Sequence, residues 1–268
     1  MKNSDLDLAK TAVVGLPVRK EESLGEVIRT VIYALLIAVV IRTLAFEPFN
    51  IPSGSMTPTL LTGDYVFVSK FSYGYSRYSL PFAPSFIHGR LFGSLPKRGD
   101  VAVFINPHTG EDYIKRIVGL PGDKIQVKNG VLTINGEASK RERVDDYLVR
   151  DWSESYDRPE EELRYHYIET MPSGVKHDIL GNYTSQPEDA LPQDDTKVFE
   201  VPADSFFAMG DNRDNSSDSR LGLGYVPVEN LVGRADRRFI SLTAGAHLWE
   251  VWRWPWTLRI TRFFGPVH

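Results

Sequence analysis

YIKRIVGLPGDKIQVKNGVLTINGE, Tyr113 to Glu137, is the stretch whose reading decides the fold. Its β-rich runs are broken by Gly, Pro, Asn and Asp, which is how strands and their turns are spelled. Asn129-Gly130 and Asn135-Gly136 are both tight-turn dipeptides that favour hairpins. The same pattern extends outward. YVFVSKFSY (Tyr65 to Tyr73) and DVAVFI (Asp100 to Ile105) precede it, and Lys197-Val198-Phe199 and Phe206-Phe207-Ala208 follow it. No long amphipathic helix interrupts these runs. The expectation is a mainly β protein built on an antiparallel sheet, closed or folded over.

Residues 141–200 break the pattern. They hold sixteen Asp and Glu against seven Lys and Arg, a local balance of −9 in a chain whose net charge is −4. Strand signals there are weak, and Tyr, Pro and Asp dominate. The segment reads as an insertion, part folded subdomain and part long loop, and the plainer reading is a solvated acidic excursion with no chemistry of its own. The expected organisation is a tail over 1–22, an anchor over 23–45 and a first part of the β domain over 46–131. An inserted acidic subdomain over 132–197 and a second part of the β domain over 198–268 complete it.

The N-terminal region carries the other strong signal. Val31 to Ile41 reads VIYALLIAVVI, and with its flanks the apolar stretch reaches about 20 residues, close to the thickness of a bilayer core. A buried core helix, a cleavable signal peptide ending at Thr43-Leu44-Ala45 and a retained anchor all have this appearance. Glu26 and Arg29 near one end and Arg42 near the other suit an anchor, because such charges reach the headgroups. Lys2, Lys10, Arg19, Lys20 and Arg29 precede the run, and after Arg42 the next basic residue is Lys70. That asymmetry places the N-terminus in the cytoplasm and the remainder outside, with a single span.

Composition excludes several kinds of chemistry. There is no cysteine, so there is neither a disulfide framework nor a thiol nucleophile. The six histidines are scattered outside any ligand-spaced motif, so no metal and no cofactor is expected. The slightly acidic net charge gives no basis for nucleic-acid binding.

Three short segments carry candidate chemistry. Pro52-Ser53-Gly54-Ser55-Met56 is a serine turn just beyond the anchor. In the strand around Lys115, Tyr113, Lys115 and Ile117 share one face and Ile114, Arg116 and Val118 the other. A lysine between an aromatic and a branched aliphatic loses hydration if that face is buried, and burial favours the neutral amine that a general base requires. If the strand is an edge, the same lysine simply faces water. The third segment, Gly210 to Arg220 (GDNRDNSSDSR), is polar and follows an apolar run. It fails as a calcium loop, because Ser216 stands where glycine is needed and Gly222 where the bidentate Glu is needed. Its Asp and Arg density suggests a hydrogen-bonded loop beside a site. Serine normally takes histidine as its base, and lysine is the substitute.

The order of these segments resembles bacterial type I signal peptidase (leader peptidase). The anchor comes first, then Pro52 to Leu60, Gly63-Asp64-Tyr65-Val66, Tyr113 to Asp123 and Gly210 to Arg220. The resemblance spans roughly Arg29 to the C-terminus and constrains the acidic insertion least. It implies a Ser/Lys membrane protease that cleaves signal peptides from exported preproteins after small-x-small, Ala-x-Ala-like sites through an acyl-enzyme. Ser55 would be the nucleophile and Lys115 the general base. Ser53 and the Ser55 N–H would form the oxyanion hole, Ser216 would orient the amine, and Asp218 and Arg220 would be a supporting ion pair. Ile51, Pro52, Met56, Leu60, Tyr113 and Ile114 would line the pocket for the residue before the cut. Phe49, Asp112 and Ile114 would contribute to the pocket two residues earlier. The implied partners are signal-peptide-bearing preproteins, the phospholipid bilayer and, as a functional neighbour, the export translocon. The implied location is the bacterial inner membrane, with the catalytic domain on its outer (periplasmic) face.

Two other readings stand beside this one: a related Ser/Lys peptidase of conjugation or self-cleaving repressor type, and an anchored β-rich envelope module whose serine turn is only a turn. The tail His247 to Phe264 holds Trp249, Trp252, Trp254 and Trp256 among Arg253, Arg259 and Arg262. That mixture suits a headgroup layer, although aromatic rings also close cores.

Overall fold

The computed structural model describes residues 23–80, 83–84, 86–152, 159–181, 191–243 and 245–267. The expected tail 1–22 lies outside the described residues. The chain divides into a first unit ending at Val39 and a second running from Val40 to the C-terminus.

Helix α1 spans Leu24–Leu44, 21 residues with Glu26 in its first turn and Arg42 in its last. Ser23 and Glu26 exchange side-chain and backbone hydrogen bonds and cap its start. At 1.5 Å per residue it is about 31 Å long, enough to cross a hydrocarbon core. None of its residues is buried in the protein.

The second unit is built on strands. β1 (Phe46–Asn50), β2 (Asp64–Ser69), β3 (Val101–Ile105) and β4 (Asp112–Gly119) come first. β5 (Lys124–Lys128), β6 (Val131–Ile134), β7 (Glu137–Ala138), β8 (Lys140–Arg143), β9 (Tyr147–Trp152), β10 (Pro159–Thr170) and β11 (Lys176–Gly181) follow. β12 (Phe199–Glu200), β13 (Ser205–Met209), β14 (Val226–Pro227) and β15 (Leu231–Ser241) complete the set. Seven strands form one antiparallel sheet in the order β1-β2-β15-β3-β4-β13-β14. β15 carries three register shifts against its two neighbours. Such shifts raise the local twist and curl a sheet.

β3 shows why the apolar run DVAVFI belongs in the centre. Val101 and Val103 pack with Ile51, Met56, Leu60, Val66 and Val68 on one face. Ala102 and Phe104 pack with Ile117, Phe206, Val226 and Leu231 on the other. A strand buried on both faces reads as continuous rather than alternating. A third cluster around Val118, Ile125, Val127, Leu132 and Phe207 joins this sheet to a four-stranded one, β12-β5-β6-β7. The two Asn-Gly pairs sit where expected, with Asn129, Gly130, Asn135 and Gly136 all at positive φ in the turns around β6.

The acidic region is more regular than its weak strand signals suggest. It contains the longest strand among the described residues, the twelve-residue β10. β10 pairs with β11, β8 and β9 in a separate four-stranded sheet. The signal was weak because what this sheet buries at Glu169 is a cluster of ion pairs, so hydrophobic alternation is silent there.

Of the tail tryptophans, Trp249, Trp252 and Trp256 are 69 %, 65 % and 79 % exposed, and Trp254 is partly buried.

Candidate active site

Ser55 lies in a single 3-10 turn, Gly54–Met56, held down by the buried Met56 side chain. Lys115 lies on β4. Strands β1 and β4 are separated in the sheet by β2, β15 and β3, about 19 Å if the sheet were flat. The curl of the sheet and the loop after β1 close that gap. Lys115 Nζ is 2.6 Å from Ser55 Oγ and 3.1 Å from the Ile114 carbonyl. Lys115 is 5 % exposed and Ser55 8 %. Burial pulls the amine down from its usual value to about 8, outweighing the opposing pull of Asp218 and Asp211. The Tyr113 ring lies 5.3 Å from the same nitrogen. A hydroxyl and an amine that sheds its proton near neutrality, in contact, make a nucleophile and its base.

Ser53 Oγ lies 3.4 Å from Ser55 Oγ. Both serines border a cleft of about 700 Å³ lined by Pro52, Ser53, Gly54, Ser55, Glu111, Asp112, Tyr113, Ile114, Lys115, Asn215 and Ser217. β13 pairs with β4 only at Arg116, Ile117 and Gly119, so the Asp112–Ile114 half of β4 keeps one ladder edge toward the cleft. Pro52, Asp112, Tyr113 and Ile114 therefore stand at the cleft wall. Ile51, Met56 and Leu60 are buried in the core beneath it, and Phe49 packs against that core.

The loop Gly210 to Arg220 backs the pair. Asp218 and Arg220 form a buried ion pair at 2.8 Å, and Asp218 also accepts from the Gly210 N–H at 3.0 Å. Burial pushes the Asp218 carboxyl up, but the Arg220 charge and hydrogen bond outweigh it and hold it below its ordinary value. Ser216 is not brought to Lys115 by a hydrogen bond, and its buried Oγ has no partner. Gly210 has no room for a side chain: a Cβ there would lie 2.3 Å from Ser216 Oγ and 2.6 Å from the Ser55 carbonyl oxygen.

Sequence reasoning missed a second buried pair. Arg116 and Asp211, each 1 % exposed at the side chain, are joined by two hydrogen bonds of 2.8 and 2.7 Å. Thr59 Oγ1 donates to the same carboxylate at 2.6 Å. The available signal was an arginine sharing a strand face with Ile114 and Val118, where a buried charge calls for a carboxylate. Glu169 was also missed. It is fully buried against Arg213, Arg141 and His177.

With this geometry in place, the comparisons with known proteins are specific. Residues 24–240 match the family described as signal peptidase, peptidase S26. Signal peptidase I of Rickettsia prowazekii is 41 % identical over 226 residues, covering 81 % of this chain and 80 % of its own. Signal peptidase I of Rickettsia typhi is 41 % identical over 227 residues, covering 81 % and 80 %. A crystal structure of a signal peptidase I from Enterococcus faecalis is 25 % identical, covers 52 % of this chain and 95 % of its own, and has a TM-score of 0.29, at which the likeness carries no weight. The fold and site thus define a membrane-anchored serine endopeptidase, a hydrolase. The chain belongs to the signal peptidase S26 family.

Proposed function

We propose that this protein removes signal peptides from exported preproteins after small-x-small, Ala-x-Ala-like sites, with Ser55 and Lys115 as its dyad. The observation that carries the reading is the 2.6 Å contact between Ser55 Oγ and a buried Lys115 Nζ. Neutral Lys115 takes the Ser55 proton as Oγ attacks the scissile carbonyl. The lysine then gives that proton to the leaving amine, and the C–N bond breaks to leave an acyl-enzyme. Water, deprotonated by Lys115, hydrolyses the ester and restores both groups. Ser53 Oγ and the Ser55 N–H hold the tetrahedral oxyanion. Each donor of this kind is worth roughly 3 kcal/mol. Ser216, whose buried Oγ makes no hydrogen bond to Lys115 here, is assigned the role of orienting the amine by family resemblance alone. Asp218 and Arg220 brace the loop that carries it.

Substrate binds as an extended strand along the open edge of β4. Small residues are selected because the cleft is backed by buried side chains, Ile51, Met56 and Leu60 among them, that leave shallow pockets. Phe49, Pro52, Asp112, Tyr113 and Ile114 complete the walls. α1 anchors the protein in the bacterial inner membrane with its N-terminus cytoplasmic and the β domain on the outer face, an orientation that the basic residues before the helix favour. The bilayer and, functionally, the export translocon are its neighbours there. Arg253 and the exposed Trp249, Trp252 and Trp256 meet the headgroups.

The test is preprotein processing by the full chain in detergent. Wild type cleaves, while Ser55→Ala, Lys115→Ala and Lys115→Arg do not. Residual processing by any of the three sinks the dyad.

A further inference from the structure

The acidic insertion has no part in the steps above, yet its sheet is tied to the serine turn by a continuous hydrogen-bonded path. The Leu180 N–H on β11 donates to the Asp211 carbonyl at 2.9 Å, and the Arg213 N–H donates back to the Leu180 carbonyl at 2.8 Å. Asn212, between them, lies beside Leu180 in a parallel bridge. From β10, Glu169 grips the Arg213 guanidinium, and Arg164 Nη1 donates to Asn212 Oδ1 at 2.9 Å. Arg164 is itself aimed by Glu162, which accepts from its Nε and Nη2 at 3.0 and 2.6 Å.

Asn212 passes this on. Its Nδ2 donates to the Gly54 carbonyl and its backbone N–H to the Ser55 carbonyl, each at 3.1 Å. A guanidinium only donates and a carbonyl only accepts, so the Asn212 amide is satisfied one way round. The Gly54 C=O and the Ser55 N–H belong to one planar trans peptide and point in opposite directions. Holding the Gly54 oxygen against Asn212 therefore turns the Ser55 N–H away from Asn212. Holding the Ser55 carbonyl fixes the next peptide plane, and with it the direction of Ser55 Cβ.

We propose that the inserted sheet is a positioning element of the active site, with Arg164 acting through Asn212 to set the Gly54–Ser55 peptide so that the Ser55 N–H addresses the oxyanion. This rests on the reading of Ser55 as nucleophile and of its N–H as an oxyanion donor. Arg164 touches no reacting atom and is a positioning residue. Its loss weakens an interaction that matters most in the transition state, so it acts on kcat and spares KM.

The experiment is steady-state cleavage of a peptide with an Ala-x-Ala site by the full chain in detergent, with a thermal melt of every variant. Arg164→Met is expected to lower kcat about tenfold with KM within about twofold. Arg164→Lys, which keeps a donor for Asn212 Oδ1, recovers most of that loss. Asn212→Ala lowers kcat at least as much, and adding Arg164→Met to it costs nothing further, because one residue acts through the other. The pH at which the rate rises stays where it is, since Lys115 is untouched. If Arg164→Met does not fold, Glu162→Gln loosens the same guanidinium from a more exposed position, and kcat falls severalfold. Unchanged kcat, a change confined to KM, or full additivity in the double variant overturns the proposal. Lys115→Ala in the same assay separates the two readings. If it cleaves, the dyad falls. If it is dead while Arg164→Met and Glu162→Gln keep wild-type kcat, only the positioning role falls.

Discussion

Lys115 Nζ lies 2.6 Å from a serine hydroxyl and 3.1 Å from a carbonyl oxygen, and Asp218 and Asp211 only partly offset its loss of hydration. Its pKa of about 8, below the 10.5 of the free side chain, has two consequences. In the proposed role of base it works only when neutral, so kcat/KM should rise as pH increases through about 8 and be lost in acid. A pH–rate profile that is flat across this range would remove Lys115 from the mechanism. For stability the sign is the same. The unfolded chain takes up the proton first as pH falls from 10.5, so protonation favours unfolding across the window down to about 8. Lys115→Met should therefore be inactive yet melt no lower than wild type at neutral pH, a trade of stability for function. Ser53→Ala should lose kcat by about a hundredfold with little change in KM, as expected of an oxyanion donor. Unchanged kcat would leave Ser53 a turn residue. The residue types behind these expectations were legible in the sequence. Their pairing was not, since alternation along one strand says which face Lys115 is on and nothing about what crosses it.

At the scale of elements, the loop Gly210 to Arg220 is held from two sides, by the serine turn and by the inserted sheet. Gly210→Ala should abolish turnover, because its Cβ would drive against the Ser55 carbonyl oxygen at 2.6 Å. Near-normal cleavage by a folded Gly210→Ala protein would show that the loop can retreat without cost. Glu169 is the centre of the other contact. Burial pushes its carboxyl up, but the charges and hydrogen bonds of Arg213, His177 and Arg141 outweigh it and hold it well below its usual value. Glu169→Gln leaves two guanidinium groups short of their counter-charge, and removing one partner of a buried pair costs about 3–5 kcal/mol. Urea unfolding should register that loss, and a midpoint shift near zero would mean the cluster relaxes into water. Glu169, Asp211 and Asp218 are all held below their ordinary values, so the stability they contribute is present above pH 4.5 and is lost as pH falls through their folded values. These elements were only half legible. GDNRDNSSDSR announced a polar network, but β10 gave no strand signal because its one buried residue among those described, Glu169, is a charged side chain held by ion pairs.

At the scale of the whole molecule, the proposed reading assigns the apolar helix, none of whose residues is buried, and the exposed tail tryptophans to the bilayer and its headgroups. In vesicles containing brominated lipids, the tryptophan fluorescence of the full chain should be quenched. Trp249→Ala, Trp252→Ala and Trp256→Ala together should remove most of that quenching, and an unaltered signal would place these rings in water. By itself the sequence determined the helix, the β class, the turns and the serine and lysine types, because length, period and turn chemistry are local properties. Only the tertiary structure decided that Ser55 meets Lys115, that Arg116 is neutralised by Asp211, and that an acidic insertion reaches the serine turn through Asn212. Those contacts join residues tens to more than a hundred positions apart, and they form only where a curled sheet and a second sheet bring distant backbone together out of water, where an unpaired charge is too costly to leave.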